Sequence, residues 1–481
     1  VSGANAPIRH DVVVIGGGPG GYATAFRASL RGLDVALVER DRVGGTCLHR
    51  GCIPSKAILH VAGVLDEVAR AEVLGLRLTH DGLDGDALGA FRDGVITRLH
   101  KGLEHLVAAR TTRYDGHGRL EVEDGTRTVT VMAGDGTVRQ LVADHVVLAT
   151  GSVPRPLAEL PVDHEVVQTS DDALWFTTPP QRAVIVGGGA VGVEFASMWA
   201  PMGTEVTIVE ALDRLLPLED SDSSAALEAA FRRRGVQVVS DGRVGGVTVT
   251  GGRAVLDVEV AGATRRLEAD RVLVAVGRAP CTDDLGAREL GLLDDRGYVV
   301  TDAVGATSMH HVWAVGDVRP TLALAHAAFA EGMVVADRIA GIATPAVDHT
   351  YTPRVTYSHP EVASVGLTEA AAVERFGREE VVATTTSLRG NAKAIIAGSD
   401  GQVKVVHRAG APPVGAPGDG GAVLGVHVVG PQATELIAAA TLATTWDAVP
   451  VELAAITHAH PSLAEAIGEA YLAAAGLPLH G

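Results

Sequence analysis

The stretch Asp11-Val12-Val13-Val14-Ile15-Gly16-Gly17-Gly18-Pro19-Gly20-Gly21 decides the architecture. Its short β-branched apolar run reads as a buried strand, and the glycines end that strand abruptly. A helical stretch, Tyr22–Arg31, follows, and then a second apolar run, Asp34–Val38, ending at Glu39. Strand, glycine turn, helix and strand make one βαβ unit, which commits this part of the chain to a parallel sheet. The pattern recurs at Ala183–Val186, Gly187-Gly188-Gly189-Ala190-Val191-Gly192, a helical stretch to Met202, and Val206–Val209 ending at Glu210. In both copies the first glycine and the terminal glutamate are 23 residues apart. With 58 glycines in 481 residues a bare G-x-G-x-x-G carries little weight. The strand before it, the helix after it and the carboxylate at the next strand's end carry the inference.

The chemistry of that grammar is dinucleotide binding. Gly16 and Gly187 make the tight turn, Gly18 and Gly189 let a pyrophosphate approach the backbone, and Gly21 and Gly192 let helix and strand pack closely. The helix N-terminus offers free N–H groups and a positive dipole end to the phosphates. Glu39 and Glu210 can each accept hydrogen bonds from an adenosine ribose, and a 2′-phosphate would be repelled. No Arg immediately follows Glu210, so the second site favours NAD over NADP. The alternative for either copy alone is a doubly wound domain whose turn binds nothing. Supporting strands are legible as His145–Ala149 leading into Thr150-Gly151, Arg271–Val276 into Gly277-Arg278, and His311–Val315 into Gly316-Asp317. Asp317 thus stands at a strand's C-terminal edge, where open α/β sheets bind ligands. From Tyr351 onward, short runs (Val362–Val365, Gln402–Val406, Val423–Val429) alternate with Ala-rich helical stretches, which reads as an α+β domain. Ala409–Gly421, rich in Gly and Pro, reads as a mobile hairpin loop without chemistry.

Length and composition bound the rest. At roughly 150 residues per domain, 481 residues predict about three domains. Apolar residues at 47% and charged residues at 20% exclude disorder. No apolar run nears the roughly 18 residues of a membrane span. Forty Lys+Arg against 58 Asp+Glu give a charge of −18, which argues against nucleic acid. Val1–His10 lacks a basic segment followed by an apolar one, so a cytoplasmic protein is expected. Three cysteines exclude a disulfide-stapled scaffold, yet Cys47 and Cys52 stand five residues apart. A metal site needs about four ligands, and no second Cys or His cluster at ligand spacing follows, so no metal is expected. Redox chemistry leads. On a regular helix residues five apart have Cα atoms roughly 8–9 Å apart. A disulfide needs about 4.4–6.8 Å. The segment must therefore be distorted, with Gly51 and Pro54 the residues to permit it. A cysteine at a helix start near Lys56 has its thiolate stabilised.

Gly44-Gly45-Thr46-Cys47-Leu48-His49-Arg50-Gly51-Cys52-Ile53-Pro54-Ser55-Lys56, both glycine fingerprints, Ala149-Thr150-Gly151, Ala314-Val315-Gly316-Asp317 and His458-Ala459-His460-Pro461 together resemble the flavoprotein disulfide reductases over essentially the whole length. The likeness is greatest to their dihydrolipoamide-oxidising branch. It implies an α/β protein of two Rossmann-like dinucleotide-binding domains plus a C-terminal α+β dimerisation domain. The FAD-binding domain would be discontinuous (1–151 and 279–349), the NAD-binding domain 152–278 and the interface domain 350–481. FAD would be held by Gly16, Gly18, Gly21, Glu39, Lys56, Thr150, Gly151 and Asp317, and NAD by Gly187, Gly189, Gly192, Glu210 and Gly277. Cys47 would be the interchange thiol and Cys52 the charge-transfer thiolate against the flavin. Lys56 and Glu194 match the family's ion pair beside the flavin, and Asp317 the ribityl-binding carboxylate. His460 and Glu465 match the acid–base dyad, which in the family reaches the other subunit's disulfide, implying a homodimer. The implied partner is a lipoyl domain of a 2-oxoacid dehydrogenase complex or of the glycine cleavage system, with no nucleic acid and no membrane.

Physical logic agrees on the dyad. Only a thiolate attacks a disulfide, alkyl thiols are mostly protonated at neutral pH, and a histidine oriented by a carboxylate supplies the base. His458 reads as structural. Two departures stand out: His49-Arg50 replaces the usual Asn-Val between the cysteines, where redox potential or substrate approach can shift, and Cys281 stands where Asn is common and reads as unreactive. The rival activity is a low-molecular-weight disulfide reductase of glutathione or mycothiol type, which usually prefers NADPH, a preference Glu210 opposes. Mercuric reductases usually carry a C-terminal cysteine pair, absent after Cys281. A non-catalytic scaffold is the remaining rival.

Overall fold

The computed structural model describes residues 7–79, 81–410 and 421–480, so most of the loop read at Ala409–Gly421 lies outside the described residues. The elements that carry candidate residues are β1 (Ile8–Ile15), α1 (Pro19–Leu30), β2 (Val35–Glu39), α2 (Gly45–Arg50), α3 (Cys52–Ala69), α4 (Gly85–Arg110), β3 (Arg182–Val186), α5 (Ala190–Trp199), β4 (Glu205–Val209), α6 (Ala325–Ile339), β5 (Gln402–Arg408) and α7 (Ala464–Ala474). The described residues fall into two units, one within 1–57, 86–155 and 277–349, the other within 58–85, 156–276 and 350–481.

In the first unit β1 lies between β2 and Val138–Leu148, all parallel, with Val14 opposite Leu37 and Val147. Thr112–Asp115 extends the sheet beside β2, and Val312–Ala314 beside Val138–Leu148. Val12 and Val14 pack with Ala25, Ala28 and Val335, while Val13 and Ile15 pack with Leu120, Val129 and Leu285. Both faces of β1 are therefore covered, which is why its sequence is continuously apolar instead of alternating. The strand read as starting at His145 begins at Val138, because its first half pairs antiparallel with Thr126–Met132. α1 is held against α6 at close range: a Cβ on Gly332 would stand 2.7 Å from the Gly20 carbonyl oxygen. Asp337 of α6 accepts from Arg27 Nε and Nη2 and from Arg31 Nε, each at 2.8 Å. Those guanidiniums hold its carboxyl well below the usual carboxylate range.

In the second unit β3 and β4 sit in a five-stranded parallel sheet with Gln237–Val239, Arg271–Val274 and Val167–Thr169. α5 stops at Trp199 and tightens into a 3₁₀ turn, Ala200–Met202, because Pro201 has no N–H to continue the ladder. A three-stranded meander fills Gly242–Ala269. The C-terminal part is a five-stranded antiparallel sheet built on β5 and Val423–Gly430, with α7 and Ala433–Thr445 packed on it through Ile437, Ala440, Ile467 and Ala470. No described helix is long and apolar enough to cross a membrane.

A buried charge network ties this sheet to the residues after β4. Lys404 of β5, whose side chain is 3% exposed, donates to Asp220 Oδ1 at 2.9 Å, Asp222 Oδ2 at 2.8 Å and Glu369 Oε2 at 2.8 Å. Burial opposes its charge, yet the hydrogen bonds to Asp222, Glu369 and Asp220 outweigh that and raise its pKa. Lys404→Met keeps the volume and leaves the buried Asp220 carboxylate without its cation, so a loss of about 3–5 kcal/mol is expected in denaturant unfolding. Asp220 and Glu369 are held below their ordinary pKa values, so the network's contribution is present above roughly pH 4 and lost as pH falls through those depressed values. The gap between wild type and variant should close in acid.

Candidate active site

The two glycine turns repeat down to individual hydrogen bonds. Gly16 and Gly187 have φ of +108° and +111°, a region only glycine enters freely. α1 and α5 start from Gly18 and Gly189 with φ/ψ of −73°/−176° and −74°/−175°, and neither has a side-chain cap. Their first-turn N–H groups are thus left for an anion. A Cβ on Gly189 would meet nothing within 4 Å, and one on Gly18 would meet only Gly45 Cα at 4.0 Å. That is the open cradle a pyrophosphate needs. Glu39 accepts from Gly17 N (2.7 Å) and Asp41 N (2.8 Å), and Glu210 accepts from Gly188 N (2.6 Å) and Leu212 N (2.8 Å). Every carboxylate oxygen keeps a lone pair for a ribose hydroxyl. The residues of both turns fit a dinucleotide.

In the first unit a cleft opens beside β1 and β2, lined by Gly16, Glu39, Arg40, Thr150 and Cys281 among others. Thr150 Oγ1 donates to the Cys281 carbonyl at 2.6 Å, and Arg40 Nη2 lies 3.5 Å from Cys281 Sγ. Cys281 therefore stands on the wall of this cleft beside Thr150 and Arg40. Gly151 and Gly277, at φ +72° and +104°, face open space within 4 Å of a virtual Cβ. Asp317 Oδ2 accepts from Ser152 Oγ at 2.6 Å, and Ser152 Oγ in turn accepts from Arg278 Nε at 2.6 Å. The buried Glu331 holds the Asp317 turn from below, accepting from Gly316 N at 2.7 Å and pairing with Arg319 and His349. Sequence reasoning missed Ser152, Arg278 and Glu331. For the first two, the signal was their position directly after the strand-ending Gly151 and Gly277.

The cysteine segment breaks where its spacing requires. Cys47 lies in α2 and Cys52 opens α3, with Gly51 between them at φ −144°, ψ −111°. Pro54 is inside the first turn of α3 instead of at the break, a position where its missing N–H costs nothing. Gly45 brings α2 against the pyrophosphate turn: a Cβ there would stand 2.8 Å from Gly18 Cα. Cys47 and Cys52 lie close enough to hydrogen-bond to each other. That hydrogen bond, with burial, drives the Cys47 pKa up, and Lys56 opposes it. Tyr22 of α1 is pushed up to about 12, first by burial and then by the neighbouring Cys47 and Cys52. Lys56 Nζ lies 3.4 Å from Ser55 Oγ.

In the second unit Glu194 of α5 is buried and accepts from Tyr357 N at 3.0 Å. His460 Nδ1 meets Glu465 Oε1 at 2.7 Å, and Glu465 Oε2 accepts from Ser462 N at 2.7 Å. The Ser462 N–H and the His460 ring hold the Glu465 carboxyl below its ordinary range. A carboxylate on Nδ1 fixes that nitrogen as the N–H, leaving Nε2 as the acceptor, and the ring is 77% exposed. His458 packs over Gly468, where a Cβ would stand 2.3 Å from its ring.

Known proteins share this arrangement. Residues 10–332 match the pyridine nucleotide-disulphide oxidoreductase family model, and residues 352–471 match that family's dimerisation domain. Dihydrolipoyl dehydrogenase of Bacillus subtilis is 37% identical over 480 residues, covering 98% of this chain and 99% of the relative. That of Zymomonas mobilis is 37% identical over 486 residues, covering 98% and 99%. The crystal structure of LpdA from Mycobacterium tuberculosis is similar with a TM-score of 0.86 at 28% identity, covering 96% of this chain and 99% of that one.

Proposed function

The chain belongs to the pyridine nucleotide-disulphide oxidoreductase family, and from that premise we propose that it is a dihydrolipoyl dehydrogenase, oxidising dihydrolipoamide at the expense of NAD⁺. The observation that carries this is a hydrogen-bonded Cys47–Cys52 pair in a chain that aligns end to end with dihydrolipoyl dehydrogenases. FAD would be held by Gly16, Gly18, Gly21, Glu39, Lys56, Thr150, Gly151 and Asp317, and NAD by Gly187, Gly189, Gly192, Glu210 and Gly277. We assign the flavin domain to 1–151 and 279–349, the nicotinamide domain to 152–278 and the interface domain to 350–481. When bound, FAD carries the electron pair from the reduced cysteines to NAD⁺.

The chain's own residues handle the sulfur chemistry. His460 Nε2 takes the proton from a substrate thiol, and Glu465 stabilises the imidazolium that forms. The substrate thiolate attacks Cys47 Sγ, the Cys47–Cys52 bond breaks, and Cys52 leaves as thiolate. The second substrate thiolate then displaces Cys47, releasing cyclic lipoamide, so that the substrate is oxidised by two electrons and the cysteine pair reduced by two. Of the two substrate protons one then rests on His460 and one on Cys47, and Cys52 carries the negative charge. Lys56, at the start of α3, stabilises that charge.

The dimerisation domain supports a homodimer. The exposed dyad suits a base that serves the disulfide of the other subunit, and the macromolecular partner is a lipoyl domain of a 2-oxoacid dehydrogenase complex or of the glycine cleavage system. A reducing, cytoplasmic setting suits a disulfide that persists only as a turnover intermediate. The test is NAD⁺ reduction by dihydrolipoamide in the FAD-loaded enzyme, run against NADP⁺ and against glutathione and mycothiol disulfides. Turnover with dihydrolipoamide and a preference for NAD⁺ are expected. NADPH-driven reduction of a small disulfide, with dihydrolipoamide inert, would overturn the assignment.

A further inference from the structure

His49 and Arg50 stand between the two cysteines, and both reach back across the turn. His49 Nε2 lies 2.8 Å from the carbonyl oxygen of Val43, the residue just ahead of Gly44-Gly45. A carbonyl can only accept, so Nε2 is the N–H. His49 is 1% and Val43 0% exposed, so this bond is sealed from water. Arg50 Nη1 lies 3.1 Å from Asp41 Oδ2, spanning the same gap at the surface, where the two side chains are 40% and 46% exposed. The His49 ring is steadied by His100 of α4, edge to face at a centroid distance of 4.8 Å, and His100 Nε2 meets Glu104 at 3.2 Å. The buried Nδ1 of His49 has no hydrogen-bond partner, so the ring's one polar engagement is with Val43.

We propose that His49 and Arg50 brace α2, and Cys47 with it, against the Asp41–Val43 segment that leads into the helix, and thereby set the redox poise of the Cys47–Cys52 pair, holding the Cys47 sulfur in place beside Cys52 even when no disulfide joins them. This rests on the reading of Cys47 and Cys52 as the redox couple. The couple takes up two electrons and one proton per disulfide, Cys52 remaining a thiolate, and the brace acts on the entropy of the reduced side. A dithiol already held in place loses less freedom on closing, so the disulfide is favoured and the potential is lowered. The charged and titratable groups acting on the ring are Arg42 and Asp41 ahead of α2 and His100 of α4. Burial, then Arg42 and His100, hold the ring below the ordinary histidine range, so it is neutral at pH 7. Nε2–H is donated in either protonation state, and the brace therefore acts independently of pH.

The test equilibrates FAD-loaded wild type, His49→Leu, His49→Gln and Arg50→Gln in dithiothreitol redox buffers at pH 7 and 8, then counts Cys47 and Cys52 thiols by alkylation and mass spectrometry. Dithiothreitol supplies the electrons and closes to its own cyclic disulfide. His49→Leu is expected to weaken the disulfide about tenfold, a rise of ~30 mV, equally at both pH values. His49→Gln, whose amide nitrogen can replace Nε2, should keep most of the wild-type poise, and Arg50→Gln should lose about twofold, less in high salt. If His49→Leu does not retain flavin, His49→Asn, too short to reach Val43, takes its place. One potential shared by wild type and the Leu or Asn variant would overturn the brace, as would a shift that differs between the two pH values. A wild-type pair that never closes reversibly would overturn the functional assignment itself, and that result is read from wild type alone.

Discussion

Cys47→Ser is expected to abolish dihydrolipoamide-dependent NAD⁺ reduction, by at least about 10³-fold, while FAD stays bound. A serine hydroxyl cannot form the mixed disulfide that passes the electron pair on, so the covalent route is removed outright. The fold has little reason to change, since Cys47 lies half-way along the short helix α2 and serine is close to it in size. Two measurements separate chemistry from damage. The flavin-to-protein ratio should match wild type, and NADH-driven reduction of an artificial one-electron acceptor, which bypasses the sulfurs, should persist. Turnover with dihydrolipoamide above a few per cent of wild type would remove Cys47 from the interchange role.

His460→Gln should lower kcat/KM for dihydrolipoamide by about 10²–10⁴-fold, the usual cost of removing a general base. Its pH profile is the sharper readout. In wild type the base must be unprotonated, so the rate falls as the imidazole gains its proton on the acid side. The variant has no such group, and its rate should rise about tenfold per pH unit until the substrate thiol ionises by itself. A variant with wild-type turnover and an unchanged profile would assign the base to another residue. Glu465 accepts from Ser462 N as well as from His460, so Glu465→Gln tests orientation of the ring more than its basicity.

Much of the candidate site was legible because the signals were local. Glu39 and Glu210 were found from a fixed distance to a glycine turn, and each proves to cap the turn it was counted from, through Gly17 N and Gly188 N. The break at Gly51 followed from helix geometry and the reach of a disulfide. The contributions that escaped notice act at long range or through backbone atoms. Lys404 and Asp220 are separated by 184 residues, and nothing near β5 says that a lysine in an apolar strand is triply paired. Ser152 and Arg278 became visible as partners of Asp317 only once Val312–Ala314 was laid beside Val138–Leu148. Cys281 looked inert for want of a neighbour in sequence, and the folded chain sets it on the wall of the cleft beside Arg40.

The amino-acid sequence by itself determined the two βαβ units and the spacing of the two cysteines, because periodicity and turn chemistry are properties of neighbouring residues. Tertiary structure alone decided what stands around them. The Val43 carbonyl that His49 clasps, the carboxylates that keep Lys404 charged and the serine that engages Asp317 are partners chosen by sheet order and helix packing. Burial then makes those choices consequential, since a polar group removed from water must find its partner in whatever the fold brings near.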